Sequence, residues 1–75
     1  MIAYKNISGD SGISAYAVGD DYIKVQFADG EIYLYNYKTN GKNNIEEMKV
    51  LASKGQGLAT FINKYIRENF AAKLT

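Results

Sequence analysis

The chain has 75 residues, nine of them basic and eight acidic, for a net charge of +1. That length allows one domain, and a near-neutral surface excludes a design that neutralises many phosphates, so strong nonspecific nucleic-acid binding is not expected. Cysteine and histidine are both absent, which removes disulfides, thiolate metal sites, the thiol nucleophile and the commonest general base. A composition of 47% hydrophobic residues, with seven tyrosines and three phenylalanines, supplies one modest core and argues against disorder. A chain this short buries only about 60% of the surface its unfolded form exposes, so stability is thin.

Residues 1–10 mix small, polar and turn-forming side chains around Ile2, Tyr4 and Ile7. This segment lacks the apolar core of a signal peptide, and no stretch approaches the ~20 apolar residues of a membrane span. A cytoplasmic location without membrane contact is therefore expected, in keeping with the missing cysteine. The segment frames the sheet or frays, with Ser8-Gly9-Asp10 as a loop. The run Ile13-Ser14-Ala15-Tyr16-Ala17-Val18 reads as a first strand, and Gly19-Asp20-Asp21 as a turn.

Residues 21–37 carry the strongest local signal. Two runs, Tyr22-Ile23-Lys24-Val25-Gln26-Phe27 and Ile32-Tyr33-Leu34-Tyr35-Asn36-Tyr37, alternate with period two about Asp29-Gly30, the pattern of a β-hairpin. Polar residues 38–43 read as a loop. Asn44 then looks like a helix N-cap, with Glu47 completing a capping box and Glu46 beside it in the first turn. Ile45, Met48, Leu51 and Ala52 form an apolar stripe, and Gly55 suits the position after the helix C-terminus. From Gly57 onward, Leu58, Phe61, Ile62, Tyr65, Ile66, Asn69 and Phe70 recur at steps of three and four, which predicts a second, longer amphipathic helix. The expected class is α+β: a three-stranded antiparallel β-meander followed by two helices packed on one face, β-β-β-α-α, over residues 1–75 as a single domain.

Ile23-x-Val25-x-Phe27, the Asp29-Gly30 turn, Tyr33-x-Tyr35, and Ala52-Ser53-Lys54-Gly55 with Phe61-Ile62 downstream together resemble the KTSC domain. That family is named for its place at the C-terminus of some lysyl-tRNA synthetases, and it also occurs as a stand-alone small bacterial protein. The resemblance runs from about Ser11 to about Asn69. The chain departs from the family pattern after Tyr37, where a Gly/Lys/Asn segment stands in place of a proline. The family has no established activity; the resemblance implies a KTSC-like fold and, through the synthetase association, RNA binding. It also implies that Tyr33 and Tyr35 are structural, because the residue between them is often polar in the family.

Simple amphipathy leaves two hairpin registers open. A two-residue type I′ turn at Asp29-Gly30 puts Ile23, Val25, Phe27, Ile32 and Leu34 on the inner face. Tyr22, Lys24, Gln26, Tyr33, Tyr35 and Tyr37 then line the outer face as a platform on which unpaired bases would stack. A type I turn at Ala28-Asp29 with Gly30 as a bulge moves the pairing by one residue, carries Tyr33 and Tyr35 inward, and turns Ile32 and Leu34 outward. Tyr22 and Lys24 face outward in both.

The candidate ligand-binding residues are Tyr22, Lys24, Lys38 and Lys42, with Lys54, Gly55 and Gly57 at the helix–helix corner. Free N–H groups at a helix start, flexible glycines and a lysine suit a phosphate or carboxylate, although no full P-loop is present and a glycine after a helix end more often simply closes it. Loop lysines more often guard a sheet edge than grip a phosphate. The aspartates fall in turns, and Asp20-Asp21 offers too few oxygens for a hard cation. These readings point to a non-catalytic module with no catalytic residue, metal or cofactor. The expected partner is single-stranded nucleic acid or, alternatively, a protein, a second copy included, that docks on the uncovered sheet face.

Overall fold

The computed structural model describes residues 1–7, 9 and 11–75. Five antiparallel strands lie in sequence order: β1 (Ile2–Ala3), β2 (Ile13–Val18), β3 (Tyr22–Phe27), β4 (Ile32–Asn36) and β5 (Ala72–Lys73). The class is α+β, as expected, but the meander has two more strands than the three predicted. Both additions are two-residue edge strands, too short for periodicity to reveal. β1 leads into Tyr4, which is buried in the core, so the segment proposed to frame the sheet or fray does frame it. The predicted loop at Ser8-Gly9-Asp10 includes residues outside those described.

The hairpin turn decides the register. Gly30 N–H donates to the Phe27 carbonyl at 2.9 Å, and Phe27 N–H donates to the Glu31 carbonyl at 2.8 Å. Gly30 has φ of +91°, while Asp29 is not among the residues at positive φ. This is a type I turn with a glycine bulge. A type I′ turn would force Asp29 left-handed at a cost of about 1–2 kcal/mol. Asp29 instead uses its carboxylate locally, accepting from Glu31 N–H at 3.0 Å. The resulting pairs are Val25 with Tyr33 and Ile23 with Tyr35. Tyr35 is thereby carried into the core at 2% exposure, and Tyr33 packs against its edge. Strand β2 reaches the same face through a bulge at Ser14, which lets both Ile13 and Tyr16 point inward although they are an odd three positions apart.

Residues 38–43, expected as a loop, are largely helical. The Asn36 side chain accepts from Thr39 N–H at 2.9 Å, and Asn40 Oδ1 accepts from Asn36 N–H at 3.2 Å. These reciprocal caps nucleate a single turn, α1 (Tyr37–Asn40). Helix α2 (Lys42–Lys54) begins two residues before the predicted cap. Asn44 therefore lies inside it, donating to the Asn40 carbonyl, and Glu46 and Glu47 fall beyond the first turn. The predicted stripe holds: Ile45, Met48 and Ala52 are buried and Leu51 is half-buried. Gly55, at φ of +72°, closes the helix with its N–H on the Leu51 and Ala52 carbonyls.

The second helix is shorter than its periodicity suggests. α3 (Leu58–Phe61) runs into a π-helical turn at Ile62–Ile66, closed by Arg67 N–H on the Ile62 carbonyl. Leu58, Ile62 and Ile66 are buried, but the wider turn leaves Tyr65 60% exposed. Asn69 and Phe70 lie past the helix end. Phe70 still reaches the core edge, from the segment that returns to form β5.

Candidate functional site

The two faces of the sheet now have assigned residues. The inner face contributes Ile13, Tyr16, Ile23, Val25 and Tyr35 to one cluster with Ile45, Met48 and Ala52 of α2 and with Leu58, Ile62 and Ile66. None of the outward-facing strand residues joins that cluster. Across the outer face Ala3, Ala15, Gln26 and Ile32 stand opposite one another, and Leu74 continues this row through its N–H on the Ile32 carbonyl. The next row is Ala17, Lys24, Leu34 and Ala72. The face is a trough of alanines on the β1–β2 side and a ridge of Ile32, Leu34 and Leu74 on the β4–β5 side.

Tyr22 and Lys24 are brought together on that face, the Lys24 ammonium 5.6 Å from the Tyr22 ring centroid. The ring lies over Gly19, where any Cβ would collide with it. Tyr33 and Tyr35 point the other way and Tyr37 lies in α1, so Tyr22 is the one ring left, beside Lys24 and Gln26, of the outer platform that the type I′ register would have built. Lys38 is in α1, and Lys42 starts α2 near the Glu46 carboxylate, one of the charges that lower its pKa.

At the helix–helix corner Lys54 is exposed, but Gly55 is buried beneath Lys5, whose side chain occupies the space a Cβ would take. The Gly55 carbonyl accepts from Ile7 N–H at 2.8 Å, and Leu58 N–H, the first of α3, donates to the Tyr4 hydroxyl at 3.3 Å. The N-terminal segment thus occupies the position proposed for an anion. Gly57, at φ of +87°, makes the turn into α3.

A separate polar network fixes α2 against the hairpin. The Tyr37 hydroxyl donates to Glu46 at 2.6 Å, Lys49 pairs with Glu46 at 2.9 Å, and Lys49 also donates to the Asp20 carbonyl. The hydrogen bond to Glu46 is the main cause that pushes the Tyr37 hydroxyl up to about 12, and the same bond, with Lys49, holds the Glu46 carboxyl below its ordinary range.

The structure also shows a cleft that the sequence did not single out. Beyond the π-helical turn, Phe27 and Tyr33 meet edge-on at 5.5 Å between centroids, and Phe70 packs on Tyr33 at 4.7 Å. With Tyr35 and Ile62 they line a cavity of about 170 Å³ that also touches Asn63, Arg67 and Glu68. The last three, joined by Asn69, line an adjacent open cleft of about 610 Å³. Burial is the main cause that pushes the Tyr35 hydroxyl up to about 12. Arg67 has φ of +55° and ψ of −122°, a conformation suited to glycine. In the sequence these residues read as part of one continuous amphipathic helix. No glycine or proline marks where that helix ends.

Among the described residues no group of three or more histidine, cysteine or acidic side chains is arranged to hold a metal, and no helix is long and apolar enough to cross a membrane. No protein-family model, curated protein or solved structure matches the chain.

Proposed function

We propose that the chain is a small non-catalytic binding module, without a cofactor, whose contact surface is the uncovered face of its sheet. Its partner is a second copy of the chain. The observation that carries this reading is the division of that face into a ridge and a trough. A two-fold axis along β3 lays the Ile32–Leu34–Leu74 ridge of one copy into the Ala3–Ala15–Ala17 trough of the other, an isologous contact. Lys24 is the one formal charge in the two paired rows, and its ammonium is turned toward Tyr22. Three strands of five or six residues and two edge strands of two residues, at ~4.8 Å between strands and ~3.3 Å per residue, amount to about 700 Å² over both copies. This lies below the ~1,200 Å² of stable complexes, so the association is transient. Sedimentation velocity over a concentration series tests it. The weight-average coefficient should rise with concentration for the native chain and stay at the monomer value for Leu34→Lys. A strict monomer at millimolar concentration would remove this reading.

A second reading, single-stranded nucleic acid, is supported by the Tyr22–Lys24 pair, a base-sized ring with a cation beside it, and by the resemblance to the KTSC domain. It ranks lower because Tyr33 and Tyr35 face inward and stacking contributes ~1–3 kcal/mol per base only where a ring is offered. Titration of labelled single-stranded RNA at two salt concentrations separates the readings. Binding at low salt that weakens with added salt and disappears in Tyr22→Ala favours RNA; no binding at low salt leaves the protein partner.

A further inference from the structure

The cleft beyond the π-helical turn lies on the helix-covered side of the sheet and is independent of the proposed contact face. Its floor is aromatic and aliphatic: Phe27, Tyr33, Tyr35, Ile62 and Phe70. At about 170 Å³ it is slightly larger than the apolar cavity of about 150 Å³ that takes up benzene. Its mouth is polar and holds one cation, Arg67, and one anion, Glu68, with the amides of Asn63 and Asn69 beside them. Among the described residues the ion pairs are Lys49 with Glu46 and Lys73 with Glu31. Among those residues Arg67 and Glu68 form no ion pair with each other or with another side chain. The Arg67 backbone is strained, and strained residues concentrate where a ligand is held; π-helical turns do the same.

A purely anionic ligand would meet Glu68, and a purely cationic one would meet Arg67. The complementary molecule carries both charges on neighbouring atoms and an apolar body behind them. We infer that the cleft binds a free α-amino acid with an aromatic or branched apolar side chain. Arg67 takes the carboxylate, Glu68 takes the ammonium, and the side chain packs into the cavity against Phe27, Tyr33 and Phe70.

The test is titration of the isotope-labelled protein with L-phenylalanine, followed by amide resonances. Saturable shifts at Asn63, Glu68 and Phe70 are expected with a Kd of about 1 mM, the range that a dozen heavy atoms support. 3-Phenylpropionate and 2-phenylethylamine, each lacking one charge, should bind at least about tenfold more weakly. Arg67→Gly should lose binding by a similar factor while its Tm holds or rises, because glycine relieves the backbone strain. Glu68→Gln, at an exposed position, should weaken L-phenylalanine and leave 3-phenylpropionate no worse. Absence of shifts at about 20 mM ligand, equal binding of the single-charge analogues, or native-like affinity in Arg67→Gly would each overturn the assignment.

Discussion

The two faces of this sheet are built from alternate residues of the same strands, and both are rich in apolar groups. One is sealed: Ile23 and Val25 are fully buried and Tyr35 is 2% exposed. The other, with Ala15, Ala17, Ile32 and Leu34, is half-buried and has no helix cluster over it. Hydrophobicity does not separate them, because Ile32 and Leu34 are more apolar than Tyr33 and Tyr35. What separates them is a three-residue turn that spares Asp29 a left-handed backbone and thereby sends the larger rings inward. A tyrosine buries up to ~150–250 Å², so the turn preference and the larger packing area act in the same direction.

The widest test of that contrast is a pair of truncations on adjacent residues. Tyr35→Ala should cost about 3–5 kcal/mol, as large aromatic truncations in cores do. Leu34→Ala, half-buried on the open side, should cost under about 1 kcal/mol in dilute solution. A chain of this size has roughly 4–11 kcal/mol of stability in total, so the first change removes much of it and the second little. Urea unfolding of both variants is the measurement. Equal costs would mean that the open face is covered by something the monomer does not show.

A smaller effect is expected where the N-terminal segment crosses the roof over the inner face. Gly55→Ala demands a side chain at φ of +72° and forces the new Cβ into Lys5. The left-handed backbone alone costs about 1–2 kcal/mol, and displacing Lys5 also disturbs the Ile7–Gly55 and Tyr4–Leu58 hydrogen bonds. A total near 2 kcal/mol or more is expected. Gly30→Ala, also at positive φ but with open space around the new Cβ, should cost only the backbone component. Thermal unfolding of the two variants distinguishes collision from strain.

How much of this was legible in the sequence depends on how far apart the interacting residues are. The hairpin, the α2 stripe and the Gly55 closure are local, set by spacing and by a single glycine, and all three read correctly. Helix α2 starts two residues before the cap that the sequence predicts at Asn44, because Asn36 and Asn40 cap α1 reciprocally and Asn44 falls inside the helix that follows. β1 and β5 exist only because β2 and β4 offer them partners, and nothing in Ile2-Ala3 or Ala72-Lys73 announces it. The cleft at Arg67 depends on an α-helix that widens to a π-helical turn and stops within nine residues (58–66), while Leu58, Ile62 and Ile66 keep the spacing of an uninterrupted helix. Tertiary packing overrides local periodicity there, and no residue type marks the change.

The smallest expected effect separates the sealed face from the rim by pH. The Tyr35 hydroxyl, raised to about 12 mainly by burial and further by Tyr33, keeps its proton in the folded state at pH values where the unfolded chain has lost it. Its contribution to stability is fully present below the unfolded pKa near 10 and fades as the pH rises toward 12. Tyr37 behaves alike for a different reason, because its proton is held by Glu46. Glu46 and Glu31 have the opposite sign. Their carboxyls are lowered, first by the Tyr37 and Thr75 hydroxyls and then by Lys49 and Lys73, so what they add is present above their ordinary value and disappears as the pH falls through the lowered one. Unfolding midpoints across pH should therefore decline at both ends. Tyr35→Phe should flatten the alkaline decline and leave the acid one intact. Tyr37→Phe should flatten both, since removing its hydroxyl also releases Glu46. If Tyr35→Phe left the alkaline decline unchanged, the ring would be titrating as it does in the unfolded chain, and the inner face would not be sealed at that position.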